Sequence, residues 1–407
     1  MTNRNEKEKP QDEEPEDEKP EDEKPQDEKF TVTPWEVKGI VDYDRLITEF
    51  GTEKITEEIL DLIKDHTGDL HPLLIRKIFF SHRDLKWLFE EYDKGNTFFL
   101  YTGRGPSGDT HLGHLMPWIF TKWLQDKFDC ELWFQMTDDE KFYFREELSL
   151  EDTHRFAYEN ALDVIALGFN PKKTFIFSDI DISGHLYPLA AQVAKRITFS
   201  TVKATFGLQN ESNLGEIFFT SMQAVPAFLP SVLRKRNIPC LIPHAIDQDP
   251  HFRVARDVIP KLGYYKPTAI HCIFLPGLKE GGKMSASIKE SAIFTTDSAK
   301  IVKKKIFNAF TGGKPTAEEQ RRLGANPDVC SVYKYYFCLF MWDSKELDNL
   351  RNDCISGNIL CGDCKKILLS KLLPFLEEHQ KKREQAKEQL DQFFVTHEQL
   401  SSGEFEK

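Results

Sequence analysis

Between residues 97 and 274 the apolar positions switch repeatedly between two periods. TFFLYT (97–102), ELWFQMT (131–137), TFIFSD (174–179), IPCLIP (238–243) and TAIHCIF (268–274) are short apolar runs of strand length. Between them, apolar residues recur three and four apart, the spacing of helices, over about 111–128, 149–168 and 250–262. Ser149 with Asp152 three residues on predicts a helix cap, and Gly168 predicts its stop. Pro117 falls in the first two turns of its helix, where proline is best tolerated. Strands alternating with helices predict an α/β protein with a doubly wound parallel sheet, whose ligands bind beyond the carboxyl ends of the strands. From about Asp297 the strand pattern gives way to helical spacing over 297–310, 328–342 and 363–394, with Pro374 expected to kink the last; this predicts an all-α domain. Ahead of the sheet, residues 30–95 read as a small α/β appendage, with helical spacing at Glu53–Ile63 and Arg83–Tyr92. The expected division is therefore 1–29, 30–95, 96–296, 297–394 and a C-terminal tail, 395–407.

Charge changes the picture at one end. The 407-residue chain carries 54 Lys and Arg against 66 Asp and Glu, a net charge of −12, which argues against a wholly basic nucleic-acid-binding surface. Residues 1–29 alone hold six basic and thirteen acidic residues in a repeat, PQDEE, PEDEK, PEDEK, PQDEK, without an apolar residue between Met1 and Phe30. Such a segment buries too little surface to offset its ordering entropy and is expected to be disordered, as a solubilising tail or a docking segment for a basic partner. No apolar run reaches the roughly 18 residues that cross a bilayer, and the acidic start fits neither a secretory signal nor an organelle transit peptide; a cytoplasmic protein without membrane contact is expected. The eight cysteines are expected to be free thiols. Cys361 and Cys364 form a single CxxC, short of a zinc ligand set, so the pair reads as a helix start and no metal ligands are assigned.

Two short motifs carry chemistry. His111-Leu112-Gly113-His114 opens a helix after a strand and a glycine-rich loop, GRGPSGDT (103–110). Unsatisfied N–H groups at a helix start attract anions, Gly113 lets a ring or phosphate approach the backbone, and histidines three apart are expected on one helix face. The second motif, GGKMSAS (281–287), places Lys283 and two hydroxyls on a glycine hinge 172 residues after His111, able to close over a transferring phosphoryl group.

HLGH and KMSAS resemble the HIGH and KMSKS signatures of class I aminoacyl-tRNA synthetases. LYTGRGPS (100–107), QMTDDEK (135–141), AIDQDPHFR (245–253) and IFFSHRDL (78–85) are similar to the tryptophanyl branch of eukaryotic cytosolic type, over nearly all of Phe30 to Phe394. The resemblance implies a Rossmann-type catalytic domain, a helical tRNA anticodon-binding domain, and a homodimer acting on tryptophan, ATP with Mg²⁺, and tRNA(Trp). It implies ATP contacts at Thr102, Gly103, Arg104, His111, Gly113, His114, Asp247, Lys283, Met284 and Ser285. Of these, His111, His114, Lys283 and Ser285 are implied to be catalytic. It implies tryptophan contacts at Tyr101, Gly105, Gln135, Glu140, Gln223 and Gln248. One departure is Ala286, where the wider signature has a second lysine; this puts more weight on Lys283.

The residues suit that substrate. Indole offers one donor-only N–H, so its pocket needs a buried acceptor, which Tyr101 or Gln248 can supply, and its ammonium needs an anion, for which Glu140 is the candidate. Outside the resemblance, Asp138–Lys141 reads first as a solvated loop. The basic groups Lys303–Lys305, Arg321–Arg322 and Lys381–Arg383 read as solvated faces, or as contacts to an RNA backbone. The alternatives are a tyrosyl enzyme sharing fold and signatures, a catalytically silent RNA-binding relative, and an unrelated nucleotidyltransferase. The QMTDDEK and AIDQDP blocks, the intact signatures and the helical domain respectively count against them.

Overall fold

The computed structural model describes residues 31–32, 37–38, 42–280, 284 and 288–406. The acidic repeat lies outside the described residues. Nine strands are present among them: β1 (Thr31–Val32), β2 (Val37–Lys38), β3 (Glu53–Lys54), β4 (Phe79–Arg83), β5 (Phe99–Arg104), β6 (Glu131–Met136), β7 (Thr174–Ser178), β8 (Cys240–Ala245) and β9 (Thr268–Cys272). The first two pair with each other, and the other seven form one sheet in the order β3-β4-β9-β8-β5-β6-β7. Strands β9, β8, β5, β6 and β7 run parallel, as the alternating pattern predicts; β4 joins β9 antiparallel and β3 joins β4 antiparallel.

The chain winds outward from β5 through β6 to β7, then returns to the other side of β5 for β8 and β9. The reversal lies between β5 and β8, and a cleft opens there at the carboxyl ends of the strands. Alternation explains why both faces are covered. Leu100, Leu132, Phe134 and Ile176 point into one apolar core, while Phe99, Tyr101, Trp133 and Phe177 point into the other.

The helices start where the sequence places their caps. Ser149 accepts from the Asp152 N–H at 3.1 Å and Asp152 reaches back, so the helix Leu150–Ala166 opens on a complete capping box. The CxxC does start a helix, Cys361–Ala386, which runs on through Pro374. It crosses the helix Leu150–Ala166, where buried Asp163 meets His379 Nε2 and Arg383 Nε, each at 2.9 Å.

Several parts differ from the sequence reading. The helices Ser183–Ala194, Phe199–Phe206 and Leu214–Met222, between β7 and β8, lie outside any predicted element. Glu53–Lys54 pairs as β3, and the helix there is Glu57–Thr67, because Thr56 caps it by accepting from the Ile59 N–H. Phe79–Arg83 is β4, although Phe79–His82 lies outside any predicted element and Arg83 was expected to begin a helix, which starts at Leu85; with β3 it makes residues of the appendage part of the main sheet. Of residues 395–407, expected to be a tail, the described ones, 395–406, fold back onto the sheet. The Val395 N–H donates to Ile176 O of β7 at 2.8 Å, and Phe405 is buried against Trp133 and Phe175, with centroids 5.4 and 5.3 Å away. The cause is apolar: Val395, Leu400 and Phe405 cover the outer part of the second core.

Candidate active site

At the reversal point between β5 and β8 lies a cavity of about 320 Å³, within the ~300–1,000 Å³ usual for small-molecule sites. It is lined by Thr102, Gly103, Arg104, Gly105, His111, Gly113, His114, Glu140, Gln223, Asp247, Gln248 and Met284, so the structure brings together twelve of the residues the sequence singles out. Tyr101 and Gln135 lie just behind the wall, fully buried. Lys283 and Ser285 lie outside the described residues. Met284 between them is buried, and its N–H donates to Leu275 O at 3.0 Å.

The phosphate-like end is built from β5 and the helix Leu112–Phe128. His111 does not share a helix face with His114, as expected from their spacing; it precedes the helix as its extended cap, and the two rings stack with centroids 3.6 Å apart. The backbone N–H of His111 donates to His114 Nδ1 at 3.2 Å, which places the ring proton of neutral His114 on Nε2 and makes that atom a donor. A side chain at Gly113 would bring a Cβ to 3.0 Å from the His111 ring and 3.6 Å from Met284, so only glycine keeps this approach open. Arg104, at the end of β5, donates to the Gly105 carbonyl through Nη1, while its buried Nε and Nη2 have no partner among the described residues. Burial pulls its guanidinium down to about 10, so it remains a cation at neutral pH and presents two donors to an anion.

The other end is a chain of buried polar groups. The Tyr101 hydroxyl donates to Gln135 Oε1 at 2.5 Å and accepts from Gln223 Nε2 at 2.7 Å. Gln135 Nε2 donates to both carboxyl oxygens of Asp179, at 2.9 and 2.8 Å. That contact fixes the amide so that its oxygen faces Tyr101. Asp179 is itself hydrogen-bonded to Asp139. Burial, with repulsion from Asp139 and Asp138, pushes Asp179 well above the carboxylate range, and burial, with repulsion from Asp138 and Glu140, pushes Asp139 up to about 7 despite its hydrogen bond to Asp179, so the pair holds a proton at neutral pH.

Asp138–Lys141 is therefore not a solvated loop: it begins the helix Asp138–Phe144, and all three acids are buried. Glu140 accepts from Thr137 Oγ1 at 2.6 Å and from Lys141 Nζ at 2.7 Å. Burial pushes its carboxyl up, but the Lys141 charge and these hydrogen bonds outweigh it, so the shift is downward and Glu140 is an anion. A Cβ at Gly105 would come within 2.7 Å of Glu140 Oε2 and against the Lys141 side chain, so a substitution there would push this ion pair aside.

Sequence reasoning missed Asp179 and Asp139 as parts of the site, and Lys141 as the partner of Glu140. It also missed the brace beneath Asp247 and Gln248. There Asp249 is bound by Arg83 Nε and Nη2 of β4, at 2.8 and 2.7 Å, and by His271 Nε2 at 3.2 Å. His244 completes a cluster of potential metal ligands with Asp249 and His271, but Arg83 already takes both carboxylate oxygens, so a cation would have to displace a guanidinium.

Comparison with known proteins decides what this arrangement belongs to. Residues 93–377 match the family described as tRNA synthetases class I (W and Y). The chain is 51% identical over 364 residues to the tryptophan–tRNA ligase of Pyrobaculum arsenaticum, covering 89% of this chain and 97% of that one. It belongs to the tryptophan–tRNA ligase family. The corresponding enzyme of Saccharolobus solfataricus is 50% identical over 362 residues, covering 88% of this chain and 94% of that one. Among solved structures, the tryptophanyl-tRNA synthetase of Giardia lamblia superposes with a TM-score of 0.81 at 37% identity, covering 88% and 96% of the two chains. That of Encephalitozoon cuniculi, bound to tryptophan, gives 0.79 at 35% identity over 88% and 98%. Family membership separates the tryptophan reading from the tyrosine one, which the shared class I signatures leave open. No helix among the described residues is long and apolar enough to cross a membrane.

Proposed function

We propose that tryptophan–tRNA ligation is carried out in this cavity by the following division of labour. ATP lies along the Arg104–His111–Gly113–His114 wall with its ribose toward Asp247 and with Thr102, Gly103 and Met284 against it. Tryptophan inserts its indole toward Tyr101 and Gln135. A tryptophan carboxylate oxygen attacks the α-phosphorus, the bond from that phosphorus to the bridging oxygen breaks, and pyrophosphate leaves. A terminal ribose hydroxyl of the tRNA then attacks the carbonyl carbon and AMP departs. Arg104 and His114 Nε2 stabilise charge on the phosphates, with Lys283 and Ser285 assigned to the leaving pyrophosphate. Glu140 receives the ammonium, and Gly105, Gln223 and Gln248 complete the amino-acid wall.

The observation that carries the reading is the buried acceptor chain Tyr101–Gln135–Asp179 behind the wall of the same cavity that Arg104 lines, with Arg104 Nε and Nη2 unpartnered among the described residues. The first suits an indole N–H and the second a phosphate. Mg²⁺ enters as an ion brought in on the phosphates of ATP, where it offsets their charge. The pocket suits that better than a resident ion, since one of its two carboxylates, Glu140, is already paired with Lys141. The helical region is assigned to the tRNA anticodon end. Lys305 and Arg383 are excluded from that role by pairing with Asp297 and Asp163, which leaves exposed Lys303, Lys304, Arg321, Arg322, Lys381 and Lys382. A homodimer working in the cytoplasm is part of the same proposal. It is supported by an exposed apolar face in which Tyr187 and Leu214 are 61% and 82% exposed, and by free, mostly buried thiols.

The test is amino-acid-dependent ATP–pyrophosphate exchange with each of the twenty amino acids and with Lys283→Ala. Exchange with tryptophan alone, lost in the variant, is expected; exchange with tyrosine would overturn the pocket assignment. Sedimentation showing only monomer at micromolar concentration would remove the dimer.

A further inference from the structure

One turn of the long helix Cys361–Ala386 reaches both segments that flank His111. On one side, His379 Nε2 and Arg383 Nε each lie 2.9 Å from buried Asp163 on the helix Leu150–Ala166. Three residues earlier on that helix, Asn160 Nδ2 donates to the Gly108 carbonyl at 3.0 Å, in the glycine loop that leads into His111. On the other side, Gln380 Nε2 donates to the carbonyls of Thr295 and Asp297, at 2.7 and 3.1 Å.

Residues 292–297 align the start of the HLGH helix. Ile293 O accepts the Leu112 N–H at 3.0 Å, and His111 pairs with Phe294 as an antiparallel bridge. Thr295 donates to Thr110 O through its N–H at 3.0 Å and its Oγ1 at 3.2 Å. The segment belongs to no helix and to no strand of the main sheet, so these bonds and the side chains that grip its backbone fix where it lies. Lys305 grips one end, donating to Ala292 O and to the Asp297 carboxylate at 2.8 and 2.7 Å; Gln380 grips the other. The helix Ala299–Phe307 follows, and Lys365 holds its far end by donating to the carbonyls of Phe307 and Ala309, at 2.8 Å each. Lys365 and Gln380 stand fifteen residues apart on one helix, about 22 Å at 1.5 Å per residue. The stretch from Thr295 to Ala309 is therefore fastened at both ends to one rod of the helical region.

We propose that Gln380 is a positioning residue for adenylate formation: by holding two carbonyls of 295–297 it sets the stance of His111, Leu112 and Gly113, and through them of His114, against the α-phosphorus. The inference rests on the division of labour proposed above, in which this wall receives ATP. The tryptophan wall stands elsewhere, with Tyr101 on β5, Gln135 on β6 and Glu140 on the helix Asp138–Phe144. Misalignment of the HLGH start therefore acts on the chemical step and leaves tryptophan binding as it is.

The experiment is ATP–pyrophosphate exchange with the full chain, with Gln380→Met and with Gln380→Lys. Methionine keeps the length without a donor; lysine restores one, as Lys365 supplies one to two carbonyls on the same helix. In Gln380→Met, kcat should fall about tenfold or more, since misplacement by about 1 Å from a remote change can cost about 100-fold, while KM for tryptophan stays within about twofold. Gln380→Lys should recover most of the lost rate. An unchanged kcat in folded Gln380→Met, a KM for tryptophan that rises as kcat falls, or a lysine variant as slow as the methionine one would each overturn the proposal. Exchange absent from the unaltered chain would overturn the proposed function and this inference with it; exchange that is present but indifferent to Gln380 overturns this inference alone. Should Gln380→Met not fold, hydrogen exchange of the unaltered chain decides. The amides of Leu112 and Thr295 should open as one unit with those of the turn His379–Arg383, and opening of the first two while the turn stays protected would overturn the proposal.

Discussion

Replacing Gln135 by methionine removes the amide while keeping the side chain's length and most of its volume. Gln135 is fully buried and accepts from Tyr101 at 2.5 Å while donating to Asp179 at 2.9 and 2.8 Å. In the variant the Tyr101 hydroxyl can turn only toward Gln223 O, at 3.3 Å, and the indole N–H loses an oriented acceptor. A buried donor left without a partner costs about 1–3 kcal/mol. At roughly 1.4 kcal/mol per tenfold in rate, kcat/KM for tryptophan should fall by about 5- to 150-fold. The assay is ATP–pyrophosphate exchange with tryptophan and with its benzothiophene analogue, which has the same shape but carries sulfur in place of N–H. The unaltered site should reject the analogue strongly, because binding it strands the polar groups that await an N–H. In Gln135→Met the two substrates should converge, mainly through loss of tryptophan. A variant that remains folded by circular dichroism and discriminates as sharply as the parent would refute the acceptor chain.

Three further outcomes are expected. Arg104→Met removes two guanidinium donors that have no partner among the described residues, so KM for ATP should rise at least tenfold, at about 1.5–3 kcal/mol per charge-assisted bond, with little change in melting temperature. Because Asp139 is raised from the ordinary carboxyl range to about 7, the folded state binds a proton that the unfolded chain has released. The stability this contributes is full below the ordinary range and lost as pH rises through about 7, so the melting temperature should decline across that interval, and Asp139→Asn should flatten the decline. Phe405→Ala empties a place against Trp133 and Phe175 and should cost about 3 kcal/mol in chemical denaturation, without altering exchange at a temperature where the variant is folded.

Strands β5 to β9 were legible as apolar runs of strand length, and the helices Leu112–Phe128, Leu150–Ala166 and Asp249–Val258 by their spacing; the helices Ser183–Ala194, Phe199–Phe206 and Leu214–Met222 between β7 and β8 were not. Nor was strand β4. Phe79 and Phe80 are followed by Ser81, His82 and Arg83, so no apolar run of strand length marks it, and antiparallel pairing at this edge depends on Cys272 and its neighbours, far along the chain. The candidate site divides in the same way. The glycine loop and HLGH are contiguous and announce themselves, but two adjacent aspartates read as solvated wherever burial is unknown. Only the partner strand, bringing Asp179 to Asp139, turns them into a proton-holding pair.

The closure of the second core by Phe405 has a bearing on how the protein is made. Trp133 and Phe175 lie in or beside strands that emerge early from the ribosome, yet the ring that covers them is added some 270 residues after Trp133. At about 5–20 residues per second, the outer face of the sheet waits on the order of tens of seconds for its last layer. During that interval β7 is an unpaired edge beside uncovered aromatic surface, a setting that invites wrong partners. The backbone bond from Val395 to Ile176 then closes that edge, so a segment made long after β7 seals the outer side of the sheet.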